Sequence, residues 1–251
     1  PFHPSPESMK KYLLSLALVT FTISIYGQTT DSLRIGLVLS GGGAKGFAHV
    51  GVLKVLEEAG VHIDYIGGSS MGAIVGGLYA SGYSAAQLDS ILHAIDIEAL
   101  LLEEQPRSML SISEKEHGEK YAFSLSVNDL SIILPSAFSE GQGLYDFLAE
   151  LTLHQRHVRD FSQLPIPFLC IATDLETGEA VVQEEGYLPD ALRASGAFPT
   201  LLSPLELNGR LLSDGGIVNN FPVQEVKARG MDYIIGVTVE DGLYTKDELD
   251  S

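Results

Sequence analysis

The chain has 251 residues, of which 45% are hydrophobic and 26 are glycine, so it can bury the core of one sizeable α/β domain and is not disordered over most of its length. Its formal net charge of −18 disfavours nucleic acid as a partner and gives no electrostatic attraction to anionic lipid surfaces. Any contact with a membrane or micelle surface would have to be apolar.

The N-terminal stretch has the pattern of an export signal. Residues 1–8 precede a candidate initiator, Met9, and are interpreted as an artificial extension or a misassigned gene start. Two lysines follow Met9, and the apolar run after them is too short to span a bilayer. Gly27 is small enough for a cleavage site. We therefore expect a signal peptide at 9–27 and a folded domain at 28–251.

A strand followed by a glycine loop opens the predicted fold. Ile35–Leu39 is an unbroken apolar run, typical of a strand buried on both faces. Gly41, Gly42 and Gly43 follow it and leave no side chain to cover their N–H groups, so the loop can hold an anion or an oxyanion. The spacing from Gly41 to Gly46 also fits the G-x-G-x-x-G pattern of a nucleotide-binding turn.

A helix and then a sharp turn follow the loop. Residues 47–59 are apolar almost all round and predict a buried helix, with Gly60 as its C-terminal cap. The next predicted strand runs into Gly-Ser-Ser-Met-Gly, which has G-x-S-x-G spacing with Ser70 at its centre. Such an elbow strains the serine and requires small residues two places either side, which Gly68 and Gly72 provide.

The middle of the chain predicts a helix, an irregular region and a hairpin. Ser84 and Gln87 have capping-box spacing for a helix that reaches about Leu102. Residues 103–120 are polar without a clear period, and they are interpreted either as a lid over the site or as a plain surface insertion. Two short β-like runs within 121–134 predict a hairpin near the site.

Helices and strands alternate through the second half, which indicates a mainly parallel central sheet covered on both faces. The glycine loop and the elbow are then expected at the carboxyl ends of strands, where sites form in such sheets. The predicted elements are a helix at 139–153, paired strands at 168–173 and 181–183, a helix at 187–195 carrying Arg193, a hairpin of 205–207 with 210–212, a helix at 222–229 capped by Gly230, and a strand at 233–239.

An aspartate lies on a tight turn at the end of the predicted hairpin. Asp214 is followed by Gly215 and Gly216, which leave room beside its carboxylate. Asp-Gly is also among the commonest turn pairs, so a turn without a chemical role is the alternative.

Cysteine and histidine chemistry is not indicated. Cys170 is the one cysteine and lies in an apolar run, so it is interpreted as a small buried hydrophobic residue. The seven histidines show no metal-ligand spacing, and we expect no metal ion and no cofactor.

The order of residues along the chain favours a Ser–Asp dyad over a triad. The last histidine, His157, precedes Asp214, whereas an α/β-hydrolase triad ends on histidine. A carboxylate base stays ionised well below neutral pH unless burial raises its pKa strongly. A histidine base would instead lose activity near its ordinary pKa of about 6.5.

These motifs together resemble those of the patatin-like phospholipase family, in the family's order and spacing, over about residues 33–240. The chain departs from the family pattern at flanking positions such as Gly196, which bear on pocket shape. The resemblance rests on the glycine loop with Lys45 and Gly46, on Gly68, Ser70 and Gly72, on Asp214, Gly215 and Gly216, and on Ala172-Thr173-Asp174 and Ala194-Ser195 to Pro199.

The resemblance implies a three-layer α/β/α fold, with the catalytic domain at 28–251. It implies a Ser70–Asp214 dyad and an oxyanion hole from the N–H groups around Gly41, Gly42 and Gly43. The implied reaction is metal-free hydrolysis, through an acyl-enzyme, of ester-linked fatty acyl chains in phospholipids or lysophospholipids. It also implies transient contact with a membrane or micelle, and a periplasmic, outer-membrane-associated or secreted location. The alternatives are a catalytically silent lipid-binding domain and a nucleotide-binding protein that uses the Gly41 loop.

Overall fold

The computed structural model describes residues 33–96, 99–100, 126–128, 131–133 and 137–240, together with positions 7 and 10. The predicted signal peptide, apart from position 10, and the predicted lid at 103–120 lie outside these residues. None of the helices in the described ranges is both long and apolar enough to cross a bilayer.

The described part of the chain contains both strands and α-helices. The described strands are β1 (Ile35–Leu39), β2 (Tyr65–Ser69), β3 (Ser126–Asn128), β4 (Ser131–Ile133), β5 (Ala137–Ser139), β6 (Phe168–Asp174), β7 (Ala180–Gln183), β8 (Thr200–Leu202), β9 (Leu205–Leu207), β10 (Arg210–Asp214) and β11 (Tyr233–Val237). The described α-helices are α1 (Ala48–Glu58), α2 (Met71–Ala80), α3 (Ala85–Ala94), α4 (Gln142–Leu151), α5 (Leu188–Ser195) and α6 (Val223–Lys227).

Seven strands form the central sheet. Their order is β11-β1-β2-β6-β10-β9, with β7 also paired to β6. The neighbours β11, β1, β2 and β6 are parallel, whereas β7, β9 and β10 run antiparallel to their partners. The mainly parallel sheet is therefore confirmed for the side from β11 to β6, and the antiparallel strands on the other side include β7 as well as the predicted hairpin.

Helices cover both faces of this sheet. In β1, Leu37 and Leu39 belong to a large core cluster that also contains side chains from α1 to α5. Val38, between them, belongs to a smaller cluster on the other face, with Val226 of α6. Because alternate residues of a strand point to opposite faces, this division shows that β1 is buried on both sides, as predicted.

Three predicted helices differ in extent or burial. The helix α1 is buried on one face, through His49, Val50 and Leu53, while the apolar Val55 is 62% exposed, so its exposed surface is wider than predicted. The helix α3 has the predicted capping box but ends at Ala94 instead of near 102, because Ile95 takes an extended conformation. The helix α4 is shorter than 139–153 because β5 occupies 137–139 and pairs with β8.

The short-range turn predictions are confirmed. The strands β3 and β4 pair antiparallel within the hairpin predicted at 121–134. The strands β9 and β10 form the second predicted hairpin, also antiparallel. Asn208 and Gly209, which join the second pair, both have positive φ. Gly60 and Gly230 also have positive φ just beyond α1 and α6, as the predicted caps require.

Two strands of opposite direction meet on one edge of β6. Ser69, the last residue of β2, pairs with Ile171, and Asp214, the last residue of β10, pairs with the next residue, Ala172. The strand β7 pairs with both Ile171 and Ala172 from the other edge, so β2 and β10 must share the remaining edge. Their carboxyl ends therefore face each other at one level of the sheet.

Candidate active site

The elbow around Ser70 has the strained backbone that the sequence predicts. Ser70 joins β2 to α2 with φ 52° and ψ −125°, values that non-glycine residues rarely adopt. Its carbonyl oxygen accepts hydrogen bonds from the N–H groups of Ala73 and Ile74, which open the helix. The strain is therefore held by the first turn of α2.

The glycines of the motifs are required by close backbone contacts. A Cβ on Gly68 would lie 2.5 Å from the carbonyl oxygen of Gly72, and one on Gly72 would overlap the carbonyl oxygen of Leu39. A Cβ on Gly215 would overlap the carbonyl oxygen of Ile171. Side chains at these positions would force the strands and the elbow apart. The flanking motif residues are also constrained, since a Cβ on Gly46 would overlap Met71 and one on Gly216 would lie 2.6 Å from Asn220 Oδ1.

Ser70 and Asp214 are brought into direct contact. The Ser70 hydroxyl donates a hydrogen bond of 2.6 Å to Oδ2 of Asp214. The other carboxylate oxygen, Oδ1, accepts one of 2.7 Å from the N–H of Gly216. The backbone of Asp214 is held by Thr173 and Ala197, at 2.8 and 3.0 Å. The carboxylate is therefore fixed in orientation, with one oxygen directed at the serine.

Burial raises the pKa of Asp214. The residue is 3% exposed, and loss of water disfavours its charged form more than the hydrogen bonds from Ser70 and Gly216 favour it. The sequence prediction allowed for an upward shift caused by burial, and the shift has that direction. A raised pKa makes the carboxylate a stronger proton acceptor than an exposed aspartate.

In the described part of the chain, no histidine is hydrogen-bonded to Ser70 or Asp214. Those with ring hydrogen bonds, His49, His93 and His154, contact backbone carbonyl oxygens. His117 lies outside the described residues. The described geometry thus contains a Ser–Asp pair and offers no histidine as base.

The glycine loop differs from the sequence prediction at Gly41. Its N–H donates to the carbonyl oxygen of Asn220 at 3.2 Å, so Gly41 cannot at the same time donate to an oxyanion. The N–H groups of Gly42 and Gly43 have no acceptor within the described residues. Gly43 has φ 54°, a conformation that favours glycine. The candidate oxyanion hole is therefore corrected to Gly42 and Gly43.

Two cavities meet at Ser70. A cleft of about 330 Å³ is lined by Gly42, Gly43, Ser70 and Asp214, with Phe198 at its side. A second cavity of about 360 Å³ shares Gly43, Ser70 and Phe198 with the cleft and continues between the helices. Its other lining side chains are almost all apolar, among them Ile74, Leu92, Leu144, Phe147 and Leu201. The serine therefore lies where a cleft that contains the glycine loop and Asp214 joins an apolar cavity.

Sequence reasoning missed the structural roles of two residues. The buried Ser195 hydroxyl accepts the N–H of Ser70 at 3.0 Å, which holds the elbow from the side of α5. Asn220 contacts Gly41 through its backbone oxygen and donates from its side chain to Glu240 at 2.6 Å. Ser195 lay within the family resemblance, but no local pattern shows that its hydroxyl faces an elbow 125 residues away in sequence.

Other candidate groups are placed away from the chemistry. Ser69 is fully buried in β2, so it cannot reach a substrate. Cys170 is buried in β6, and burial raises the pKa of its thiol, which agrees with a packing role. Lys45 has an exposed side chain in the turn after the loop. Among the residues that the structure describes, no three histidine, cysteine or acidic side chains group as metal ligands.

Comparison with known proteins shows which family the sequence matches. The sequence model of the family described as patatin-like phospholipase matches residues 37–227. An uncharacterized NTE family protein of Mycobacterium tuberculosis is 35% identical over 216 residues, covering 84% of this chain and 50% of that protein. The lysophospholipase NTE1 of Candida albicans is 33% identical over 205 residues, covering 82% of this chain and 13% of that protein.

A solved structure has the same fold. VipD from Legionella pneumophila matches with a TM-score of 0.53 at 18% identity, covering 84% of this chain and 51% of VipD. At this identity the likeness shows the α/β fold alone. The chain spans about half the length of the mycobacterial relative and a smaller share of the yeast one.

We expect Asp214→Asn to abolish hydrolysis and yet stabilise the fold near neutral pH. Because the pKa of Asp214 is raised in the folded state, the folded protein binds a proton that the unfolded chain has already lost. Its contribution to stability is therefore greatest at low pH and declines as pH rises through the folded pKa. The neutral amide avoids this loss, whereas removing a general base lowers kcat/KM by roughly 10²-fold or more.

Thermal unfolding and kcat/KM for a short-chain ester, each measured across pH, test both parts. Asp146→Asn, at an exposed aspartate, is the control for loss of one negative charge. The acid limb of the wild-type profile should lie above the ordinary aspartate pKa of about 3.9. A lower limb, or an Asp214→Asn protein that is less stable than wild type at pH 8, would contradict the assignment.

Proposed function

The chain belongs to the patatin-like phospholipase family, and we propose that it is a serine acyl hydrolase that releases fatty acyl chains from phospholipids or lysophospholipids. One observation carries the proposal. The hydroxyl of a strained elbow serine donates to a buried carboxylate, at the junction of a cleft with an apolar cavity. A serine needs a proton acceptor and an oxyanion site to become a nucleophile. The hydrogen bond to Asp214 supports the first, and the N–H groups of Gly42 and Gly43 support the second.

The reaction proceeds in two steps. In the first, Ser70 Oγ attacks the ester carbonyl carbon while Asp214 takes the hydroxyl proton, and the N–H groups of Gly42 and Gly43 stabilise the oxyanion. The intermediate collapses as Asp214 returns the proton to the leaving alcohol oxygen, which leaves an acyl-enzyme on Ser70. In the second step a water attacks this ester while Asp214 takes its proton. The bond to Ser70 Oγ then breaks as Asp214 returns the proton to that oxygen, and the free fatty acid leaves.

The apolar cavity suits the acyl chain of such a substrate. Each methylene transferred from water into an apolar environment contributes about 0.8 kcal/mol, so a long chain is retained where a headgroup is not. The cleft on the other side of Ser70 is lined by apolar side chains, among them Phe198 and Ile217, together with the glycine loop and Asp214, and it leaves space for the alcohol part of the ester. This arrangement supports a lipid ester over a small polar ester.

Exposed apolar side chains at the cleft support contact with a lipid surface. Phe198 and Ile217 line the cleft and are 58% and 50% exposed, and Val218 beside them is 46% exposed. The formal net charge of −18 gives no attraction to anionic lipid. A transient apolar contact with a zwitterionic membrane or a micelle is consistent with both facts.

The nucleotide-binding alternative has less support than the hydrolase. The Gly41 N–H, which a phosphate-binding loop would direct at its ligand, is bonded to Asn220. The silent lipid-binding alternative requires a lost nucleophile or base, and both residues are present and in contact.

Active-site labelling separates the hydrolase from both alternatives. An organophosphonate ester should add one phosphonyl group to Ser70, since this serine has a base and an oxyanion site beside it. Intact mass with peptide mapping reads the adduct, and Ser70→Ala is the matched control. An adduct on another residue, or a folded protein that is never labelled, would overturn the proposal.

Leu144→Phe tests the acyl cavity. Leu144 is 6% exposed and lines the apolar cavity, so a larger side chain there shortens the space available to a chain. We expect kcat/KM to fall about tenfold or more for a palmitoyl ester and to change less than twofold for a butyryl ester. An equal fall in kcat/KM for both esters would show that the acyl chain binds outside this cavity.

Export is also part of the proposal. It rests on the basic start and short apolar run at 9–27. A bacterial host that expresses residues 9–251 should yield a processed chain that begins near Gln28, as read by intact mass of the extracytoplasmic fraction. An unprocessed chain that stays in the cytoplasm would contradict export and leave the hydrolase assignment unaffected.

A further inference from the structure

The peptide unit between Gly41 and Gly42 needs an external restraint. With glycine on both sides, neither residue has a Cβ to limit φ and ψ, so this unit can rotate at low cost. It carries the carbonyl of Gly41 and the N–H of Gly42 in one rigid plane. The N–H of Gly42 points into the proposed oxyanion hole only if this plane keeps one orientation.

Two side chains hold the carbonyl of that peptide unit. The Ser40 hydroxyl donates to the Gly41 oxygen at 2.9 Å, and Asn220 Nδ2 approaches the same oxygen at 3.4 Å. The shorter bond comes from a fully buried side chain, from which water is excluded. Ser40 therefore provides the stronger restraint.

The proton of the Ser40 hydroxyl has one direction. The N–H of Val239 donates to Ser40 Oγ at 3.1 Å, so this oxygen is already an acceptor and its own proton is directed at Gly41. The carbonyl oxygen of Ser40 is held in turn by Nε2 of the buried His49, at 2.8 Å. Ser40 is thus fixed through both its backbone and its side chain.

We propose that Ser40 is a positioning residue that locks the Gly41–Gly42 peptide and so aims the Gly42 N–H at the reacting oxygen. In a trans peptide the C=O and N–H point in opposite directions, so holding the Gly41 oxygen on the Ser40 side sends the Gly42 N–H to the other side. Ser40 touches no substrate. This inference rests on the proposed function, because the orientation of the Gly42 N–H affects the reaction only if an oxyanion forms beside it.

The expected effect falls on the transition state. With Ser40→Ala the peptide samples other orientations, and we expect kcat for a short-chain ester to fall about tenfold with KM unchanged. The rate of phosphonylation of Ser70 should fall by the same factor, since its transition state uses the same donors. Outright removal of one oxyanion donor lowers kcat by roughly 10²–10³-fold, and loss of a restraint has a smaller effect.

Ser81→Ala is the matched control. Ser81 is also buried, at 1% exposed, and its hydroxyl donates to the carbonyl oxygen of Leu78 at 2.7 Å, at the end of α2 away from the loop. The Ser81→Ala variant loses a buried hydrogen bond of the same kind as Ser40→Ala does. Its thermal unfolding temperature therefore measures the effect of losing such a bond on stability alone. Its kcat and phosphonylation rate should match those of wild type.

Ser40→Cys keeps the measurement usable if the alanine variant does not fold. A thiol has nearly the shape of the hydroxyl but is a weak donor, so kcat should fall severalfold in a folded protein. A Ser40 variant that is folded and has wild-type kcat, or one that changes KM instead of kcat, overturns the inference. If wild-type protein is neither labelled nor active, the proposed function fails and the inference fails with it.

Discussion

The site depends on one constraint, the sharing of a single edge of β6 by two strands that run in opposite directions. Parallel strands alone would place Ser70 at the carboxyl edge of the sheet with no acid opposite it. The strand β10 returns antiparallel along the same edge and ends one pair beyond β2, so that Asp214 arrives at the level of Ser70. This meeting requires glycine at 215, because a Cβ there would strike the carbonyl oxygen of Ile171 in β6.

Burial of the carboxylate links the chemistry to the stability of the fold. A charged group removed from water has a high free energy unless it is fully hydrogen-bonded, and Asp214 has two such bonds from Ser70 and Gly216. The remaining cost shows as the raised pKa. The same cost makes Asp214 a stronger proton acceptor than an exposed aspartate.

The features that the sequence could predict are those that depend on local backbone conformation. The elbow, the glycine loop, the helix caps and the Asn208-Gly209 hairpin are each encoded within a few residues, and the structure has them where expected. Contacts across the fold could not be predicted. The N–H of Gly41 is bonded to Asn220, 179 positions away. Which face of α1 is buried is likewise set by the elements that pack against it, and the composition of the helix does not show it.

The distance between the two site residues along the chain also sets the order in which the protein becomes competent. Ser70 and Asp214 are 144 positions apart and meet only through their pairing with β6. Contacts between residues so far apart in sequence form late in folding, because much of the chain must lose conformational entropy before these contacts contribute favourable free energy. A nascent chain that has not yet released β10 from the ribosome therefore carries the nucleophile without its base, and it matures only when almost the whole domain is in place.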